Sequence, residues 1–147
     1  MEPIMIRFLV PALIIGMAVP GVAGGLEGFL AQLDARARAD LKGFSAQVSA
    51  QFNIGEGQVR TLLGSLPRPS DAFMVLQLGQ WSGKSVDRVL PVYRARKGQG
   101  WGAVAKDLGI KPGSPEFHAL KRGDLRLGPE GSGPPPGKGR GRGKGRG

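Results

Sequence analysis

KGQGWGAVAKDLGIKPGSPEFHALKRG, residues 97–123, carries the clearest helix punctuation in the chain. Gly98, Gly100 and Gly102 surround Trp101; glycines at alternate positions accept positive φ and close backbone approach, and so mark a tight turn. Trp101, Val104, Ala105 and Leu108 then fall at i, i+3, i+4 and i+7, one apolar helical face. Gly109 ends that helix. Lys111-Pro112-Gly113 makes a turn, Ser114 is a natural N-cap, Pro115 suits the first helical position and Glu116 the positive helix end. Phe117 and Leu120 supply an apolar edge, Lys121 and Arg122 suit the C-terminal turn, and Gly123 stops the helix. Two short helices, Trp101–Leu108 and Pro115–Arg122, are predicted.

Working outward, the preceding segment Val86–Lys97 presents Val89, Leu90 and Tyr93 on one face, with Ser85 as its cap and Pro91 as an expected kink. Before it, Pro69–Trp81 is apolar nearly all round, which places it in the centre of a bundle. Val59, Leu62, Leu63 and Leu66 form a short helix ended by Pro67 and Pro69. From Phe29 to Phe52 apolar residues step by three or four, with charges including Asp34 and Arg38 on the other side as an i,i+4 pair, and with Gly43 as a kink or break. No stretch alternates with period two. The predicted fold is all-α, a small irregular bundle of five or six short helices over residues 25–123. Its predicted core is Phe44, Val48, Phe52, Val59, Leu62, Leu63, Phe73, Leu76, Trp81, Val89, Leu90, Trp101, Val104, Leu108 and Leu120.

The two ends differ in composition. Residues 1–24 have an apolar run, Phe8–Val19, followed by Pro20-Gly21 and small residues, the pattern of a cleaved signal peptide. An uncleaved anchor is the alternative, because Phe8–Leu26 is uncharged, though proline and glycine interrupt it. With the signal removed the protein is expected to be exported, periplasmic or extracellular, and not a stable transmembrane protein. Residues 124–147 read as a Pro/Gly-rich disordered tail. Its end, GKGRGRGKGRG, has Lys138, Arg140, Arg142, Lys144 and Arg146 spaced by glycine and nothing able to form a core.

The chain carries 21 Lys and Arg against 11 acidic residues, one His and no Cys. This charge favours polyanions as partners, and the missing thiols exclude disulfides and thiol catalysis. His118 alone does not build a zinc site. Paired acids, an activated nucleophile and a phosphate-cradling glycine motif are all missing from the sequence pattern, so no catalytic residue, metal or small-molecule cofactor is expected. The expected partner of the tail is an anionic polymer: envelope glycan, lipid head groups or nucleic acid. An envelope protein is a further candidate partner. The candidate domain surface is Tyr93, Arg94, Arg96, Lys97, Trp101, His118 and Lys121, where aromatics lie beside cations. The segment W-x-x-V-A-x-x-L-G-I is similar to the first helix and turn of a helix-turn-helix. Nucleic-acid binding through residues 94–122 plus the tail is therefore the alternative function. Pro112 and Pro115 stretch the connection beyond the three or four residues that motif uses, and a simple helix-packing motif is the preferred reading of this unit.

DAFMVLQLGQWSG, VYRARKGQGWGAVAKDLGIKPGSPEFHALKRG and the Gly/Lys/Arg tail together resemble a group of small exported bacterial helical proteins of no established function. The resemblance spans Gln51–Gly147 and is most specific from Tyr93 to Arg122. It implies a signal peptide, a helical module and a basic low-complexity tail, and it brings no catalytic residues.

Overall fold

Asp40 divides the first apolar stripe into two helices. In the computed structural model, which describes residues 25–128, the stripe forms α1 (Leu26–Ala39) and α2 (Leu41–Phe52). The break falls at Asp40, whose side chain accepts the Gly43 N–H at 2.9 Å and caps α2. Gly43 is the enabling residue and not the break: a Cβ there would lie 2.9 Å from the Asp40 carboxyl carbon. Five further helices follow: α3 (Glu56–Ser65), α4 (Pro69–Ser82), α5 (Val86–Ala95), α6 (Trp101–Asp107) and α7 (Pro115–Arg122). The seven helices, with no strand among the described residues, bear out the all-α prediction with one helix more than expected.

α4 is the axis. Every residue from Ser70 to Gly79 is buried, and α1, α2, α3 and α5 pack around it. Phe73, fully buried, meets Phe29 of α1 and Phe52 of α2 edge-on, with centroids 5.3 and 5.5 Å away. α6 packs on α5, α7 on α6, and α7 returns to α1. The predicted core holds except that Phe52, Leu63, Trp81 and Leu90 are only partly buried. These residues sit near helix ends or on outer faces, where no neighbour covers them fully. Met74, Leu78, Ile110, Leu125 and Leu127 take core places instead.

Other local expectations meet mixed outcomes. Ser114 caps α7 through the Phe117 N–H at 3.2 Å, whereas Ser85 occupies the cap position of α5 with no side-chain bond. α5 continues through Pro91, which lies on an exposed side. Asp34 does not pair with Arg38: it is buried and accepts the Ser70 N–H at 2.8 Å.

Both ends of the domain are fastened by backbone. Gly123, at φ +70 after α7, packs on the start of α1 so closely that a Cβ would come 2.8 Å from the Leu26 nitrogen and nearer still to the Gly25 carbonyl. The chain stays packed past Asp124, where the sequence reading opens the tail. Leu125 and Leu127 are buried and Arg126 is exposed, a short period-two alternation. The Gln51 side-chain amide clasps this strap, donating to the Arg126 carbonyl at 2.9 Å and accepting from the Gly128 N–H at 2.8 Å. Among the described residues no helix is long and apolar enough to cross a membrane. The predicted signal segment, residues 1–24, and the tail cations Lys138, Arg140, Arg142, Lys144 and Arg146 lie outside the described residues.

Gly83 provides a matched control for Gly123, since it has φ +67 with nothing within 4 Å of an added Cβ. Gly83→Ala should cost about 1–2 kcal/mol for the left-handed backbone alone, and Gly123→Ala about 1–3 kcal/mol beyond that for overpacking. Equal losses in urea denaturation would mean that the Gly25–Gly123 contact is not tight. Phe73→Ala should cost about 3–5 kcal/mol in the same assay.

Candidate functional site

The start of α4 lies inside the protein, and a buried helix start leaves N–H groups that need acceptors. Pro67 and Pro69 force the connection from α3 to run extended, with Arg68 at φ −133 and Pro69 opening α4. Asp34 reaches from α1 to take the Ser70 N–H. Asp71, 3 % exposed, accepts from Arg68 Nη2 at 3.2 Å and from the Tyr93 hydroxyl at 3.1 Å. Tyr93 in turn stacks on Trp101, with ring centroids 5.1 Å apart and planes at 21°. A single line of contacts thus ties α1, α4, α5 and α6 together. Two acids at the positive end of a helix dipole, with an arginine beside them, offset the burial of their charge.

The titration of this cluster follows from its packing. Burial raises the Tyr93 phenol above its ordinary value, and the Asp71 carboxylate raises it further through charge and hydrogen bond, against a smaller opposite pull from Arg68. For Arg68, burial lowers the guanidinium, but Asp71, with Asp34 and Glu27 behind it, outweighs that and leaves it raised.

Two clefts open around this line and share Glu27, Arg96, Gly100 and Trp101. The smaller, about 350 Å³, reaches Arg68, Asp71, Tyr93 and Lys97. The larger, about 740 Å³, lies between the first turn of α1 and the α6–α7 pair. Its walls are small or apolar, including Ala103, Phe117 and Leu120, with Lys106 and Lys121 at its edge. Arg96 is held between the two clefts, its Nε on Asp107 and its Nη1 on Gln99 at 3.1 Å. Lys106 and Lys121 lie 6.0 and 5.9 Å from the Phe117 ring centroid, at the outer range of a cation–π contact.

The candidate surface read from the sequence is therefore partly assembled. Tyr93, Arg96, Lys97 and Trp101 meet in the smaller cleft, and Arg96, Trp101 and Lys121 in the larger. Arg94 and His118 are exposed and line neither. Trp101 is 7 % exposed and stacked on Tyr93, so it holds the fold and offers no open ring to a base. The connection from α6 to α7, residues 108–114, is longer than a helix-turn-helix turn. Asp34, Arg68, Asp71, Glu27, Lys106 and Phe117 are additions that sequence reading missed as site residues. For Asp34 a signal existed: it lies four residues after Leu30 and three before Ala37, on the buried stripe. Asp71 stands in the first turn of a helix that is otherwise apolar nearly all round.

Chemically, the arrangement offers charge, hydrogen-bond donors and small-residue walls. His118 has no acid or hydroxyl partner among the described residues, and no group of three metal-ligating side chains occurs among them. Comparison with protein-family models, with curated proteins and with solved structures finds no match for the chain.

Tyr93 is the chain's one tyrosine, so tyrosinate absorbance reads it alone. Its midpoint should lie above about 10. Asp71→Asn should lower it, while burial keeps it above that value. The fold holds the neutral phenol; its contribution to stability is full below about pH 10 and is lost as pH rises through the raised folded value. A midpoint unmoved by Asp71→Asn would break the proposed Tyr93–Asp71 link.

Proposed function

We propose that the chain is a non-enzymatic, exported helical binding module whose basic tail tethers it to polyanionic envelope or extracellular polymer. The distribution of charge carries this reading. From Gly25 to Tyr93 seven basic residues face six acidic ones; from Arg94 to Arg126 eight face three. The excess of the domain thus lies in Arg94, Arg96 and Lys97 at and just after the end of α5, in Lys111 and in the last turn of α7, on the half of the domain that runs on into the tail and its five further cations. The strap supports the same reading, since a tail fastened to the domain at Gln51 is a tether with a defined root. Export rests on the apolar segment Phe8–Val19 and the small residues after it.

In this reading the domain and the tail divide the work. The tail supplies attraction that is long-ranged, salt-sensitive and indifferent to monomer sequence. The domain, with Arg96 fixed between two clefts, supplies selectivity. Nucleic-acid binding by residues 94–122 is the alternative. It would have to proceed through Arg94, Arg96 and Lys97 without base stacking, because Trp101 is stacked on Tyr93 and Phe117 is buried.

A salt titration of binding tests the proposal, with an acidic polysaccharide, duplex DNA and single-stranded RNA as probes. Deleting residues 129–147 should weaken all three alike. On single-stranded RNA the slope of log affinity against log salt should shrink by about 3 to 4, the share of five cations. Unchanged affinity after deletion sinks the tether. A preference for one nucleic acid that survives deletion and is lost on replacing Arg94, Arg96 and Lys97 by Ala establishes the alternative instead.

A further inference from the structure

The larger cleft has a composition that selects among polyanions. Its lining carries three cations, Arg96, Lys106 and Lys121, against two carboxylates, Asp107, which pairs with Arg96, and Glu27. Arg96 is already oriented by Asp107 and Gln99, while the two lysine ammonium groups have no ion-pair partner among the described residues. Beside them stand Glu27, without an ion pair among the described residues, and the Gln99 amide, whose oxygen is taken by Arg96 and whose NH2 is left to donate. Cations of this kind suit carboxylates, whereas a lone carboxylate and an amide suit hydroxyl groups, which both donate and accept. The walls are small, with Gly100, Gly102 and Ala103 leaving a concavity of about 740 Å³, inside the usual range for small-ligand sites of roughly 300–1,000 Å³.

Nucleic acid fits this lining poorly. Single strands are held by stacking bases on open aromatic faces. Here Trp101 is stacked on Tyr93, and Phe117 is 6 % exposed with two lysines beside its ring. A concave site between helices also admits one chain and not a duplex.

We propose that the cleft between the first turn of α1 and the α6–α7 pair binds a short stretch of a carboxylate-bearing polysaccharide, its carboxylates on Arg96, Lys106 and Lys121 and its hydroxyls on Glu27 and Gln99. This rests on the polyanion-tether reading above and names the polymer class that the domain selects. The tail draws the chain to any polyanion, and the cleft recognises this one.

The test uses the full chain and oligogalacturonate of a few sugar units, with the neutral galactose oligomer and a single-stranded oligonucleotide as comparisons. Ala103→Trp fills the cleft without changing charge, and should reduce oligogalacturonate affinity at least ten-fold while oligonucleotide binding, carried by the tail, is unchanged. The double variant Lys106→Ala, Lys121→Ala should give a loss on the order of ten-fold and stands as the test if Ala103→Trp loses its helical circular dichroism. The proposal is overturned if folded Ala103→Trp binds oligogalacturonate like the parent, if the double variant does so, or if the neutral oligomer or the oligonucleotide competes equally for the cleft. Because neither variant touches residues 129–147, a failure here leaves the effect of tail deletion intact. A failure of the tether shows instead as indifference to that deletion.

Discussion

A helix buried on all sides has to begin somewhere, and its first N–H groups then begin in the protein interior. α4 is such a helix, and the architecture follows from satisfying its start. Water is excluded there, so the acceptor must come from the protein, and an unmet buried donor costs about 1–3 kcal/mol. Asp34 meets the requirement from α1, which fixes α1 against α4. Asp71 faces the other way and gathers Arg68 and Tyr93. Through Tyr93 the constraint passes to Trp101 and so to α6. Apolar packing supplies most of the driving force, but it is non-directional; these few polar contacts set which helix lies beside which.

The same contacts decide what the surface can offer. Aromatic residues beside cations are a familiar sequence pattern for gripping nucleic acid, and Tyr93, Arg94, Arg96, Lys97 and Trp101 have that pattern. Folding spends the rings on each other and leaves Arg96 and Lys97 at the rims of the clefts, with Arg94 exposed outside both. The surface is thus one of charge and hydrogen bonds around small-residue hollows.

Much of this was legible beforehand, and the reasons differ by residue. Helix periodicity and the stop signals at Gly109 and Gly123 marked α6 and α7, because local chemistry alone determines them. The uninterrupted apolar character of Pro69–Trp81 marked the central helix. The break at Asp40 was misplaced to Gly43, since a cap and the residue that makes room for it are three positions apart and only geometry says which is which. Asp34 was read as a surface charge because its partner is a backbone group 36 residues away, which no local pattern encodes. Likewise Leu125 and Leu127 are two apolar residues in a polar, glycine-rich surrounding, and their burial depends on the distant Gln51. Of the candidate surface, the residues on α5 and α6 were found by charge and aromatic content. The clefts themselves were not, since a concavity belongs to several elements at once.

The Gln51 clasp also determines how the domain meets a mechanical load. A pull on the chain beyond Gly128 reaches the domain first at the two Gln51 hydrogen bonds, at the Arg36 contact with the Leu127 carbonyl and at the buried Leu127, before it reaches α7. Releasing the strap requires no change where Gly123 packs on Gly25, and it lengthens the lead by the residues after Gly123. The strap is thus a strain relief, in the sense of a cable entering a housing: tension is taken up at the point of entry, and the helical packing behind it is spared.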